Sequence, residues 1–177
     1  MRGLRWAALP LYAVLALGAC SPALDWRESQ LPEAGLIMAF PCRPDRHERA
    51  LQLAEQAVKL SMQVCEAQDL VFAVSAAQVS EPAQVGPALL ALRTAFAANL
   101  GDARAQPLSA APVPGATPQS AAGRWALKGD GPDRVPRFAE VQVFSRGTWV
   151  VQATVLSRAA LPEPASRPFF EGLRFAL

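Results

Sequence analysis

Four side chains in this sequence can do covalent or metal chemistry that the rest cannot: Cys20, Cys42, Cys65 and the single histidine, His47. Cys42 and Cys65 are separated by 23 positions, and three arrangements use them: a disulfide, a pair of free thiols or, with His47, a soft-metal site. The metal arrangement has no Cys-x-x-Cys or His-x-x-x-His pair and would need a carboxylate as fourth ligand, so no metal and no cofactor is expected. His47 lies in the charged run Arg43-Pro44-Asp45-Arg46-His47-Glu48-Arg49 and reads as a solvated residue of a turn. A nucleophile needs a base beside it, yet His47 is near no Gly-x-Ser-x-Gly, and no phosphate- or dinucleotide-binding glycine motif occurs. Among 15 acidic residues no spacing singles out an acid/base pair. No catalytic residue is therefore expected, and the chain reads as a non-enzyme.

The compartment decides between the thiol arrangements. Arg2 and Arg5 precede an apolar run from Trp6 to Leu17, which ends in Gly18, Ala19 and Cys20. A positive start, a short apolar run and small residues make a secretory signal peptide, because about 20 apolar residues are needed to span a bilayer and this run is shorter. Leu17-Gly18-Ala19-Cys20 resembles the bacterial lipobox. That resemblance implies cleavage after residue 19, acylation of Cys20 and a permanent membrane tether, since several acyl chains hold far more strongly than one. Ser21 stands where aspartate would signal inner-membrane retention in enterobacterial lipoproteins, so the outer membrane is favoured over the inner, on the periplasmic face. Cys42 and Cys65 would then sit in an oxidising compartment, where an even pair is most simply a disulfide.

The chain has 177 residues, 51% of them apolar and 18% charged, which fits one globular domain and excludes intrinsic disorder. Its 17 basic and 15 acidic residues become 15 of each once Arg2 and Arg5 are removed with residues 1–19. A neutral mature chain without a basic stripe gives no reason to expect a nucleic-acid partner.

The expected domains are a signal peptide at 1–19, the lipidated cysteine and a polar tether at 20–34, and one domain at 35–177. Leu36-Ile37-Met38-Ala39-Phe40 is a β-type run closed by Pro41, and residues 43–49 read as a turn. Leu51 and Leu53 begin a short strand. Val58, Leu60, Met62 and Val64 then alternate with Lys59, Ser61, Gln63 and Cys65, and residues 70–74 read as the return strand of a hairpin. This phase puts Cys65 on the polar side while Cys42 follows Leu36, Met38 and Phe40. A disulfide between them needs either Pro41 to end the alternation or a sheet covered on both faces.

A helix is expected at about 82–100. Ser80 is its candidate N-cap, Val85, Leu89, Leu92, Phe96 and Leu100 form its apolar stripe, and Gly101 ends it; the regular part should begin near Pro87. Residues 102–122, with Pro107, Pro112, Pro114 and Pro118, read as a long loop of the kind that carries function. Strands are expected next at 124–128, 136–144 and 148–156, the last two joined by a hairpin at 145–147. A short helix at about 162–172 should lay Phe169 and Phe170 on the sheet. The class is α+β: an antiparallel sheet of about five to seven strands, packed by the long helix and the short C-terminal one.

The order Phe40-Pro41, hairpin, helix, Pro114-Gly115 loop, hairpin and Phe169-Phe170-x-x-Leu173-Arg174 resembles small exported bacterial domains of uncharacterised function. More distantly it is similar to the PsbP/Mog1-type α-β sandwich. These motifs punctuate a fold and carry no catalytic residue with them. The expected function is a membrane-tethered, non-enzymatic interaction module of the cell envelope that docks on an envelope protein through residues 102–122 or a sheet edge. The alternative is a carrier of a small apolar ligand, with Trp125 and Trp149 as candidate lining residues.

Overall fold

In the computed structural model, residues 24–101, 103–161 and 163–176 are described. Among the described residues ten strands and two α-helices run in the order β1 (Arg27–Leu31), β2 (Leu36–Phe40), β3 (Asp45–Leu53), β4 (Gln56–Ala67), β5 (Leu70–Gln78), α1 (Val85–Asn99), β6 (Ala105–Leu108), β7 (Gly123–Asp130), β8 (Pro136–Arg146), β9 (Trp149–Ser157), α2 (Glu163–Glu171) and β10 (Arg174–Phe175). They make an antiparallel seven-stranded sheet, ordered β3-β4-β5-β9-β8-β7-β6, and a three-stranded sheet, β1-β2-β10.

The larger sheet is buried on both faces near its middle. In β9, Val150, Val151, Ala153, Thr154 and Val155 are all buried, so residues of both phases are covered, as in a strand with cover on two sides. On one face, Phe72, Val74, Val151 and Ala153 join Met38, Phe40 and Phe169 in one apolar cluster. On the other, Val141, Val143 and Val150 join Val85, Ala88 and Leu89 of α1.

Two-sided cover resolves the conflict of phase at the cysteines. Along β4 the buried set is Val58 and Leu60 at one end, then Ser61, Gln63 and Cys65 at the other. The nominally polar side of β4 thus lies under the small sheet. Cys42, just beyond β2, forms a disulfide with Cys65, their Cα atoms 6.0 Å apart. Gln63, 1% exposed, makes a second tie between the sheets: it accepts from Ser29 Oγ at 2.6 Å and donates to the Gln30 carbonyl at 2.9 Å.

Several expected boundaries move. The segment 20–34 is not all tether, because Arg27–Leu31 pairs with Phe40 to Leu36 as a strand, and Trp26 packs edge-on against Phe72 with ring centroids 6.0 Å apart. Arg174 binds Glu28 across the small sheet and holds its carboxyl below the usual carboxylate range. Residues 43–49 are not a turn: Asp45 to Arg49 form the first half of β3, and His47 lies opposite Met62. Ser80 does not cap α1; it hydrogen-bonds the Gln56 side chain instead, and a 3-10 turn over Pro82–Gln84 leads into the helix at Val85.

Gly129 in β7 marks a close approach. A Cβ there would overlap the Leu100 carbonyl oxygen and come within 2.9 Å of Ala103 Cβ. Because the obstacle is the backbone at the end of α1, it cannot swing aside. Gly129→Ala is expected to destabilise the protein by about 1–3 kcal/mol, read as a lowered urea midpoint. Gly147→Ala is a poor comparison because its φ is +55°. Gly86→Ala, with nothing within 4 Å of the new methyl, is the control.

Candidate functional site

Residues 102–122 were expected to form one irregular loop. Ala105–Leu108 instead pairs with β7 as an edge strand, and beyond it the chain becomes a pinned strap. Pro114 O accepts from Phe175 N at 2.9 Å, Thr117 N donates to Ser145 O at 2.7 Å, and Thr117 Oγ1 accepts from Gly147 N at 3.1 Å. Val113, within the strap, is buried in the apolar cluster below. Gly115 turns the strap with φ +78°, and its α-carbon faces Phe175 so closely that a Cβ would lie 3.0 Å from that residue's own, a place for glycine alone.

Between this strap and α2 runs an open groove of about 580 Å³. Arg124, Glu140 and Gln142, from β7 and β8, form its floor. Ser166, Phe170 and Glu171 stand on the α2 side, and Ala111 to Pro114 on the other. Arg124 is paired with Gln142 in the strand register, which leaves Glu140 diagonal to it. The two form an ion pair through Arg124 Nη2, with side chains 16% and 14% exposed. The Arg124 guanidinium lies 3.8 Å from the Phe170 ring centroid, a cation–π contact that fixes the plane of the fork. Its Nε is buried and has no hydrogen-bond partner. A second groove of about 300 Å³ lies on the other side of the strap, where Ala116, Ala122, Val143 and Phe144 give it mostly apolar walls; Gln142 borders both.

This arrangement offers an oriented cation, a carboxylate and an aromatic ring along an open channel, beside an apolar shelf. It can grip a chain of mixed polar and apolar character. Removing one ion-pair partner leaves the other partly desolvated, so Glu140→Gln is expected to cost about 1–3 kcal/mol. An Arg124→Met/Glu140→Leu double variant should lose less than Glu140→Gln in the same thermal melt.

No family model matches this chain, and neither does any curated protein. The site therefore rests on its own geometry.

Of the residues singled out in the sequence, Cys42 and Cys65 meet, and Cys20 lies outside the described residues. His47 is exposed on β3; it shares a shallow surface hollow with the disulfide, whose sulfurs are bonded to each other. Trp125 and Trp149 do not line one cavity. Trp125 packs with the α1-side cluster, under Arg93 at 4.6 Å, whereas Trp149 packs with the cluster on the opposite face. Two aromatic residues on adjacent-looking segments share a cavity only if their phases agree, and these do not. Arg124, Glu140, Gln142 and Ser166 were not anticipated, and Phe170 was expected on the sheet but not in a site. The one signal in the sequence was the alternation of Glu140 and Gln142 with Val141 and Val143, which shows a polar side of β8 without showing that anything covers it.

Among the described residues no helix is long and apolar enough to cross a membrane.

Proposed function

We propose that this protein is a lipid-anchored, non-enzymatic interaction module of the cell envelope, tethered through Cys20 on the periplasmic side with the outer membrane favoured, and that its strap groove receives a segment of an envelope protein. The observation that carries this reading is the groove itself: open to solvent, flanked by a strap fixed at both ends, and floored by the Arg124–Glu140 pair stacked on Phe170. Such a channel suits an extended polypeptide, which brings both amides and side chains to its walls. In this reading α1 and α2 cover the two faces of the seven-stranded sheet, and the groove is an accessible concavity beside α2.

The shortened tether adds a constraint. Leu24 is the first described residue, and four peptide steps from an acylated Cys20 span at most about 14 Å. The N-terminal end of the folded part would then lie close to the bilayer surface. The carrier alternative is disfavoured by the opposed faces of Trp125 and Trp149.

A photo-crosslinking residue at Ala111, exposed on the strap, tests the reading in cells, with the same residue at exposed Thr94 on α1 as the reference. One reproducible adduct mass from position 111 and none from 94 supports a docking groove. Equal adducts from both positions would overturn it. Labelled palmitate entering the wild type but not Cys20→Ser tests the anchor separately. Copurification of a small apolar molecule that raises the melting temperature would favour the carrier.

A further inference from the structure

β3 ends the seven-stranded sheet, and its outer edge is paired with no strand among the described residues. Asp45 to Ala50 are exposed on both faces. Glu48 has an ion pair with Lys59 at 2.8 Å, while Asp45, Arg46 and Arg49 have no ion pair among the described residues. Long exposed edges invite pairing with another chain, and charges on them usually oppose it. The order of the charges decides which of the two applies here.

The hydrogen-bonding phase of this edge follows from its hairpin. Ala54 and Glu55 join β3 to β4 with φ values of +47° and +68°, the signature of a two-residue type I′ turn, and Leu53 lies opposite Gln56. Such a turn closes on a hydrogen-bonded pair, so Leu53, Leu51, Arg49, His47 and Asp45 bond inward to β4. Arg46, Glu48, Ala50 and Gln52 direct their N–H and C=O groups outward.

We propose that this edge binds a second copy of the chain, β3 against β3 in antiparallel register about a twofold axis at His47. Arg46 then faces the partner's Glu48 as a hydrogen-bonded pair, which is the phase the outward groups require. Asp45 faces the partner's Arg49, and both pairs repeat across the axis, so four unlike-charge pairs form on the two faces of the joined sheets. His47 meets the partner's His47 at the axis. Moving the axis by one residue places Arg46 opposite the partner's Arg46 or Glu48 opposite the partner's Glu48. Half-step shifts set inward-bonding residues against outward ones. The same charges that reject other registers favour this one. This pairing does not depend on the lipid anchor or on the strap groove.

The test uses the full chain in detergent, examined by sedimentation at micromolar concentration. The wild type is expected to dimerise. Asp45→Arg and Arg49→Asp each create two like-charge pairs, and each should weaken dimerisation about tenfold. The D45R/R49D double variant restores every pair and should recover dimerisation to near the wild-type level. All these positions are exposed, so the melting temperatures measured alongside should show each variant folded. For geometry, His47→Cys should form a symmetric disulfide under mild oxidation, since a non-hydrogen-bonded antiparallel pair holds its Cα atoms about 4.5 Å apart. Ala50→Cys should not, because its symmetry mate lies roughly 20 Å away. A monomeric wild type, a double variant no better than the singles, or equal crosslinking from positions 47 and 50 would each overturn the proposal.

Discussion

Phe169→Ala is expected to cost about 3–5 kcal/mol. Phe169 is fully buried and holds three aromatic neighbours edge-on: Phe72 of the large sheet at 5.3 Å, Phe40 of the small sheet at 5.5 Å, and Phe170 beside it at 5.2 Å between centroids. Each such contact adds about 0.5–1.5 kcal/mol to the burial of the ring itself. The ring is thus where both sheets and α2 meet. No neighbour can collapse into the space without pulling α2 out of place, so the cavity term should be near its full size. At about 2–4 °C per kcal/mol for a chain of this length, a fall of about 6–20 °C in melting temperature is expected.

The same variant reports on the site. Phe170 supplies the ring under Arg124, and α2 forms one side of the groove. Phe169→Leu keeps most of the volume and should lose much less stability, with the groove intact. Leu90→Ala, at a position 48% exposed on α1, should stay within about 0.5 kcal/mol of the wild type. Similar losses from Phe169→Ala and Leu90→Ala would mean that α2 is not anchored by this ring.

The features legible in the sequence and those hidden from it separate along physical lines. The helix stripe of Val85, Leu89 and Leu100 and the hairpin of β8 and β9 are local patterns, and local periodicity reports them directly. Phe169 and Phe170 stand out because two adjacent aromatic residues in a polar segment must be buried somewhere. The first half of β3, read as a turn, was hidden for the opposite reason. Its first six residues are exposed on both faces, so no alternation exists to be seen, and its turn is made by Ala54 and Glu55 at positive φ rather than by the glycine or asparagine that such turns favour. The Gln68–Asp69 turn between β4 and β5 is of the same kind.

β1 was hidden by charge in a similar way. Its burial pattern is exposed except at Ser29 and Leu31, and its partner strand is known only once the small sheet is assembled. The site was less legible still. Arg124 and Glu140 are sixteen positions apart in a stretch that also contains loop residues, and their meeting depends on a strand register that no local pattern encodes. Burial of Glu140 and Gln142 depends on α2 and the strap, two segments remote in sequence. Alternation gives the phase of a strand; it does not identify what lies over each side.

Loss of the Cys42–Cys65 disulfide is expected to lower stability by about 3 kcal/mol, the chain-entropy value for a loop of this length. The bond closes 23 residues that include the whole of β3, in which Leu53 alone is buried. It also joins the end of β2, in the small sheet, to β4 in the large one. Without it, the contacts that hold this region include the Gln63 hydrogen bonds to β1, the Glu48–Lys59 ion pair and the β3–β4 ladder. Cysteine tolerates burial as a small apolar residue, so Cys42→Ala, which removes the cross-link and leaves Cys65 in its buried place, isolates the bond from packing. Its denaturant midpoint should fall by nearly as much as that of Cys42→Ala/Cys65→Ala, and wild type unfolded under reducing conditions should agree with both. A Cys42→Ala midpoint equal to that of the oxidised wild type would show that the bond does not constrain the unfolded chain. A much larger loss in the double variant would instead assign the stability to packing around Cys65. Because the loop contains β3, the weakened form should also exchange the amide hydrogens of residues 45–53 faster than those of β5 and β9, where both faces of the sheet are covered.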